Sequence, residues 1–287
     1  MKKIIIYPAL FFFPIMLNSY NSISHSTQTK TDSYRCPMKC EGEKMYDQPG
    51  KCPVCGMALQ KISPPAVSES AAAKKNKVQI AGTMMKVMRQ GELFGTIYLD
   101  TISNKDHLYG VGPVEYLKGE LMIIDGKSYK STVAPDGSIR MEETYKAKAP
   151  FFVYANIDNW KEVLLPDSVQ TIPQLESFLD QSTKNHSRPF AFRLKAKIEK
   201  GELHIVNLPA ETTVPSPEDT HQNQLTYMLK KQSAELVGFF STERQGVFTH
   251  HDSFVHIHLI TNDRKKMGHV EKMMLKKGTT SLYIPAE

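Results

Sequence analysis

The stretch FVHIHLITNDRKKMGHV, residues 254–270, combines the alternation of a β-strand with three histidines spaced H-x-H-x10-H. Residues i and i+2 of a strand point the same way, about 6–7 Å apart, so His256 and His258 face one side and Ile257 faces the other. The polar run NDRKK predicts a turn, after which His269 returns toward the first two histidines. The stretch therefore predicts a β-hairpin that brings three imidazoles to one face.

Three imidazoles on one face suit a metal ion. Histidine nitrogens are common zinc ligands, and three protein ligands leave a fourth position open for water or substrate, as in catalytic sites. The alternative is that His256 and His258 only line a polar strand face, which an isolated H-x-H would favour. The third histidine, His269, and the sequence around it favour the metal site.

The chain from residue 78 to residue 287 is rich in short strand-like segments. ELMIIDGKSY, PFFVYANI and ELVGFF carry β-branched and aromatic residues in partial alternation, and Asp125-Gly126 is a turn signal. Residues 172–180 and 218–233 predict two helices, the second because acidic residues stand at its start and lysines near its end. We therefore expect a mainly β (α+β) domain with few helices over residues 78–287.

The first 25 residues have the pattern of a secretory signal peptide. Lys2 and Lys3 precede an apolar run over residues 4–17, which small and polar residues follow. The run is too short to span a bilayer comfortably, so we expect cleavage and no integral membrane span. The mature protein is therefore expected to be periplasmic or secreted.

The charge of the chain argues against a nucleic-acid partner. The net charge is +6 over 287 residues, and the lysines and arginines are spread along the chain with no continuous basic block. The expected partners are a small-molecule substrate and metal ions. The sequence leaves the oligomeric state open, with a homodimer as one arrangement.

The four cysteines lie close together in the pattern C-x3-C-x11-C-x2-C, and the rest of the chain has none. Two close pairs separated by a loop can bring four thiolates to one tetrahedral metal site. The alternative is two disulfides, which an oxidising compartment permits, although disulfides normally staple the fold they stabilise. The candidate ligands are Cys36, Cys40, Cys52 and Cys55.

The segment around these cysteines, YRCPM followed by PGKCPVCGMAL, resembles the small heavy-metal-binding domain of metal-efflux adaptors and copper-transporting ATPases. The resemblance covers residues 34–61, and a Pro-, Ser-, Ala- and Lys-rich linker follows to residue 77. Many members carry histidine where Cys40 stands. An all-sulfur site leaves Zn²⁺ and Cu⁺ as alternatives, and the flanking Met38 and Met57 add the soft ligands that Cu⁺ favours.

Five segments of the larger region, in order, resemble the acetolactate decarboxylase family. They are YGVGPVEYLKGELMIIDGKSY, PDGSIR before PFFVYANI, RPFAFRLKAKIEKGEL, AELVGFFSTERQGVF and FVHIHLITNDRKKMGHV. The resemblance covers residues 89–287. It implies two β-rich subdomains with a metal near their junction, and decarboxylation of 2-acetolactate to acetoin.

The resemblance also implies roles for particular residues. His256, His258 and His269 correspond to the zinc ligands, Glu120 to a glutamate that relays a proton, and Arg193 to an arginine that holds or orients the substrate carboxylate. The family has a further acidic residue in its C-terminal tail, for which Glu287 is the candidate.

Three positions depart from the family pattern. Pro113 replaces a threonine, which removes a hydroxyl and a backbone N–H close to the expected site. Lys118 replaces an aspartate, and Met267 replaces a glycine at a position where we expect unusual backbone angles.

Two functions are therefore expected. The first is a secreted zinc-dependent acetolactate decarboxylase with a fused metal-binding module, which could also deliver metal to the three histidines. The alternative is a catalytically inactive periplasmic protein that handles copper or zinc on the same fold.

Overall fold

The computed structural model describes residues 33–35, 44, 46–54, 56, 59–62, 76–210, 212, 219, 222–250 and 252–286. The chain divides into two compact units, residues 1–68 and residues 69–287. The expected signal peptide and most of the expected linker lie outside the described residues. Within the described part, no helix is long and apolar enough to cross a membrane.

The first unit contains a two-stranded antiparallel sheet. Strands β1 (Ser33–Arg35) and β2 (Gln60–Ile62) pair with each other, and Tyr34 also forms a bridge with Tyr46. Cys52 is buried, with 1% of its surface exposed. Cys36, Cys40 and Cys55 lie outside the described residues, so the predicted four-thiolate site stays a prediction.

The second unit begins with a six-stranded antiparallel sheet, the first sheet, in the order β3-β10-β5-β6-β7-β8. The helix α1 (Met84–Gln90) follows β3, and a two-stranded ribbon of β4 and β9 lies beside the sheet. The strands of these two sheets are β3 (Gln79–Ala81), β4 (Ile97–Tyr98), β5 (Leu108–Pro113), β6 (Glu120–Ile124), β7 (Lys127–Val133), β8 (Ile139–Glu143), β9 (Lys148–Ala149) and β10 (Phe152–Asn156). The predicted turn at Asp125-Gly126 is confirmed, since it joins β6 to β7 with positive φ at both residues.

The second sheet has the order β11-β16-β12-β13-β14-β15, and β15 also pairs with β12. This extra pairing closes β12, β13, β14 and β15 into a ring of strands. The helix α2 (Ile172–Ser182) precedes β12. The strands are β11 (Trp160–Val163), β12 (Phe190–Val206), β13 (Gln224–Phe240), β14 (Val255–Thr261), β15 (Met267–Leu275) and β16 (Ser281–Pro285).

The two faces of β14 pack against different neighbours. Val255, Ile257 and Leu259 belong to the core of the second sheet. The opposite face points toward the first sheet, where Ile260 shares a core with Val111 of β5 and other first-sheet residues. The expected two β-rich parts are confirmed, and the predicted histidine face lies where they meet.

One predicted helix is confirmed and most of the other is wrong. The helix predicted over residues 172–180 is α2, which begins after a capping box between Thr171 and Gln174. Of the helix predicted over residues 218–233, residues 224–233 instead belong to β13, which pairs with β12 along its length. Leu229 is buried while Met228 and Lys230 are exposed, which is the period of two of a strand.

The backbone of Met267 also differs from expectation. Met267 lies in the extended β15, is fully buried in the core between the two sheets, and has no positive φ. The sterically restricted position is the next residue, Gly268, because a Cβ there would lie 2.4 Å from the backbone oxygen of His204. The glycine that this hairpin needs is therefore present, one residue before His269.

Gly238 offers a test of the packing of the second sheet. A Cβ at this position in β13 would lie 2.2 Å from the ring of Phe192 on β12, so Gly238→Ala should lower the free energy of unfolding by about 1–3 kcal/mol through overpacking. Met228→Ala, at a position of the same strand that is 62% exposed, is the control and should change it by about 0.5 kcal/mol or less. Urea denaturation measures both. Equal effects of the two substitutions would contradict the packing described.

Candidate metal centre

The three predicted histidines converge as the hairpin geometry requires. His256 and His258 stand two residues apart on β14, and His258 is paired in register with His269 of β15. Residues directly opposite one another in an antiparallel pair point to the same face. The hairpin register alone therefore places the histidine triad (His256, His258 and His269) on one face of the second sheet.

The ring nitrogens of the triad are close enough to share one ion. His256 Nε2 lies 3.1 Å from His258 Nε2, and one nitrogen from each of the three rings lies within 4.8 Å of the others. His258 is fully buried and His256 is 3% exposed. Among the described residues, this is the one group of three or more histidine, cysteine or acidic side chains with metal-binding geometry.

Burial keeps the three imidazoles neutral. Desolvation lowers the pKa of His256 to about 3 and lowers the pKa of His258 and His269 well below their usual value, and the neighbouring histidines act in the same direction. The neutral imidazole is the form that binds a metal. Three converging, neutral nitrogen donors therefore fit a divalent metal ion such as zinc.

Glu120 enters the site from the first sheet. It is the first residue of β6, is 3% exposed, and places Oε2 3.6 Å from His258 Nε2. Its Oε1 accepts a hydrogen bond of 3.1 Å from the backbone N–H of Val206. Burial raises the pKa of this carboxyl well above its usual value, and the Val206 bond only partly opposes that effect. Without a bound cation, burial therefore favours the protonated form of Glu120.

Two further histidines, His204 and His250, surround the triad. The ring of His204 stacks on His269 with centroids 4.8 Å apart, and its Nδ1 lies 2.6 Å from Oε1 of Glu271. The ring of His250 meets His269 edge-on at 5.7 Å. No local sequence pattern indicates either residue. His204 reaches the triad only through the pairing of β12 with β15.

Two members of the triad, His256 and His269, line a cavity of about 300 Å³. Three methionines of α1, Leu117, Phe151 and Val206 give it a largely apolar wall. The polar lining consists of Glu120, Arg89, two glutamines and four histidines, which are His204, His250, His256 and His269. A small, partly apolar molecule with a few polar groups fits such a cavity.

Comparison with known proteins assigns the second unit to a protein family. The family model described as alpha-acetolactate decarboxylase matches residues 81–285. The chain belongs to this family. A second family model, the heavy metal binding domain, matches residues 34–62, which contain the four cysteines. The N-terminal module is therefore similar in sequence to heavy-metal-binding domains.

Individual relatives are distant in sequence. The chain is 25% identical over 177 residues to the alpha-acetolactate decarboxylase of Methanosarcina mazei, a match that spans 61% of this chain and 59% of that protein. It is 26% identical over 211 residues to that of Brevibacillus brevis, across 72% and 70% of the two chains. The crystal structure of acetolactate decarboxylase from Bacillus subtilis subspecies spizizenii has the same fold, with a TM-score of 0.60, 21% identity and coverage of 73% and 86%.

The structure does not place Arg193 in the cavity. Arg193 projects from β12 and lies over the rings of Trp160 and Tyr283, 5.7 Å and 4.9 Å from their centroids. Its Nη1 donates a hydrogen bond of 3.4 Å to the hydroxyl of Tyr109. The role that the decarboxylase family implied for Arg193 therefore stays a prediction, and so does that of Glu287, which lies outside the described residues.

The triad predicts the metal content of this decarboxylase-family protein. His258→Ala should abolish stoichiometric zinc binding at the triad, because it removes a fully buried nitrogen donor and leaves two of the three ligands. His107→Ala is the control, since His107 is exposed and pairs with Asp125 far along the chain from the triad. Elemental analysis of dialysed proteins measures the metal.

Binding to the N-terminal module would appear equally in both variants. Only the difference between them therefore reports the triad. If His258→Ala retained as much zinc as His107→Ala, the assignment of the triad as a metal site would be wrong.

Proposed function

We propose that the second unit catalyses the zinc-dependent decarboxylation of 2-acetolactate to acetoin outside the cytoplasm. The observation that carries this proposal is that the buried carboxyl of Glu120 faces the histidine triad beside a cavity lined by Glu120, His256 and His269. The family membership supports the reaction class. The N-terminal signal pattern supports a periplasmic or secreted location.

The reaction defines what the protein must supply. The bond between the carboxylate carbon and the carbon bearing the hydroxyl breaks, carbon dioxide leaves, and the electron pair moves into the adjacent ketone. A zinc ion held by His256, His258 and His269 would act there as a Lewis acid that stabilises negative charge on oxygen. Because the three ligands are neutral, they would leave the charge of the ion undiminished.

Glu120 is suited to return the proton that replaces the lost carboxylate. Its Oε2 faces the triad and its carboxyl is held in place by the Val206 N–H, so its free oxygen can reach a substrate bound at the triad. Burial favours the protonated donor, whereas a nearby cation favours the carboxylate. A cation at the triad would therefore lower the pKa of Glu120 from its raised value, which would favour transfer of the proton to a substrate.

The wall of the cavity contributes by excluding water. Phe151 lies against His256, with ring centroids 6.0 Å apart, and Leu117 and Val206 line the same space. An apolar wall strengthens charge interactions at the triad, because the local dielectric is lower than that of water. The apolar wall can also contact the methyl groups of 2-acetolactate.

The proposal predicts a proton-transfer defect in one variant. Glu120→Gln keeps the size of the side chain but removes its acid, so kcat for acetoin formation should fall by about 100- to 10,000-fold while zinc content is unchanged. Glu142→Gln, an exposed carboxylate of the first sheet paired with Lys130, should retain wild-type kcat. A colorimetric acetoin assay with zinc-loaded protein measures both.

Metal removal completes this test. Dialysis against a chelator should abolish acetoin formation, and added zinc should restore it. Zinc-loaded wild-type protein that forms no acetoin above the spontaneous rate would overturn the decarboxylase proposal and favour the alternative of a metal-handling protein on this fold.

The heavy-metal-binding match supports a second role, for the N-terminal module. We propose that its four cysteines bind one Zn²⁺ or Cu⁺ ion, which the linker could bring to the triad. The support is the spacing of the cysteines, their match to a metal-binding family, and the burial of Cys52. Thiolates favour both zinc and Cu⁺.

Replacing one cysteine tests this role. Cys52→Ser should remove Cu⁺ binding by the reduced full-length protein in competition with a chromophoric chelator, because it deletes a buried thiolate. Val54→Ser, which alters an exposed residue between Cys52 and Cys55, is the matched control and should bind as the wild type does. Disulfide-bonded cysteines that resist reduction, or equal binding by both variants, would contradict the metal role.

A further inference from the structure

Arg89 is the one lysine or arginine among the residues that line the cavity. It lies in the last turn of α1, and its side chain is exposed. His256, which lines the cavity, is only 3% exposed, so the part of the cavity beside the triad is buried and the part beside Arg89 faces solvent. A positive charge and neutral metal ligands therefore line one small cavity.

The backbone fixes α1 at the edge of the cavity. The N–H groups of Met84 and Met85 donate hydrogen bonds of 2.8 Å to the carbonyl groups of Val247 and Gly246. Met85 and Arg89 are four residues apart and so share a helix face, and both line the cavity. The position of Arg89 is thus set by the fold, although the side chain itself is exposed.

The guanidinium of Arg89 is available to a ligand. Lys86, on the same helix, pairs with Glu92 at 3.5 Å. Arg89 forms no ion pair or hydrogen bond through its side chain with any residue of the described part of the chain. By contrast, Arg193 already lies against Trp160 and Tyr283.

We propose that Arg89 binds the carboxylate of a 2-hydroxy-3-keto acid in this cavity. A guanidinium can donate two parallel hydrogen bonds to a carboxylate, which fixes orientation as well as charge. The carboxylate would then lie at the open end of the cavity and the ketone and hydroxyl oxygens would point toward the triad. Carbon dioxide would form beside the exit. This assignment rests on the proposed decarboxylase function for the substrate class.

Two stable probes separate recognition of the carboxylate from recognition of the rest of the molecule. The first is 2,3-dihydroxy-2-methylbutanoate, in which the ketone of 2-acetolactate is reduced to an alcohol. The second is butane-2,3-diol, which has the same remaining skeleton without the carboxylate. Isothermal titration calorimetry of full-length, zinc-loaded protein gives the affinity for each probe and does not depend on turnover.

Arg89→Gln should weaken binding of the carboxylate probe by about 10- to 100-fold, because a charge-assisted pair is lost. The affinity of Arg89→Gln for the diol should stay within about twofold of wild type. The affinity of Arg89→Lys for the carboxylate probe should lie between those of the wild type and Arg89→Gln. Lys86→Gln is the matched control on the same helix and should leave both affinities unchanged. Thermal unfolding of all variants should coincide, since the altered side chains are exposed.

Three results would overturn the assignment. They are an Arg89→Gln variant that binds the carboxylate probe like wild type, a wild type that does not prefer that probe to the diol, and an Arg193→Gln variant that alone loses the preference. The decarboxylase proposal fails by a different measurement, the acetoin assay. A protein that forms no acetoin yet loses carboxylate affinity in Arg89→Gln would keep the recognition role of Arg89 and lose only the reaction.

Discussion

The pairing of His258 with His269 across the β14–β15 hairpin is the constraint on which the metal centre depends. A slip of one residue in this register would turn alternate side chains to the opposite face and separate His269 from the other two histidines. Two features hold the register. Thr261, Asp263 and Lys266 close the turn with hydrogen bonds, and the apolar residues of β14 fill the core of the second sheet.

The second sheet also closes on itself, and this closure positions the residues that surround the triad. Because β15 pairs with β12 as well as β14, His204 comes to lie against His269, and Gly268 allows the backbones to approach. Strand β12 continues to Val206, whose backbone N–H donates a hydrogen bond to Glu120. At Glu120 and His258, desolvation dominates over mutual attraction. Burial raises the pKa of the acid and lowers that of the base, so at their separation of 3.6 Å it favours the neutral form of each group.

The parts of the site that could be predicted from the sequence are those that local geometry determines. The H-x-H alternation, the turn and the third histidine lie within seventeen residues, and a hairpin brings them together without any knowledge of the rest of the fold. His204 and Arg89 could not be found in this way, because their positions depend on the pairing of β12 with β15 and on the seating of α1. The helix expected over residues 218–233 was wrong over residues 224–233, which form a strand. The alternation of exposed Met228 and Lys230 with buried Leu229 was present, but charges at the ends of the segment resembled those of a helix.

Pro113 shows how a departure from the family pattern can be absorbed by the backbone. Successive amides of a strand point to alternate sides, and the N–H of Val114 bonds to Gly119 on the β6 side, so the nitrogen of Pro113 points toward β10. The pairing of β10 with β5 ends at Val111, so Pro113 removes no hydrogen bond from the ladder. What changes is the cavity surface, where a ring replaces the hydroxyl of the family's threonine. The polar contacts to a substrate must then come from the other polar residues that line the cavity, which include Glu120, two members of the triad and Arg89.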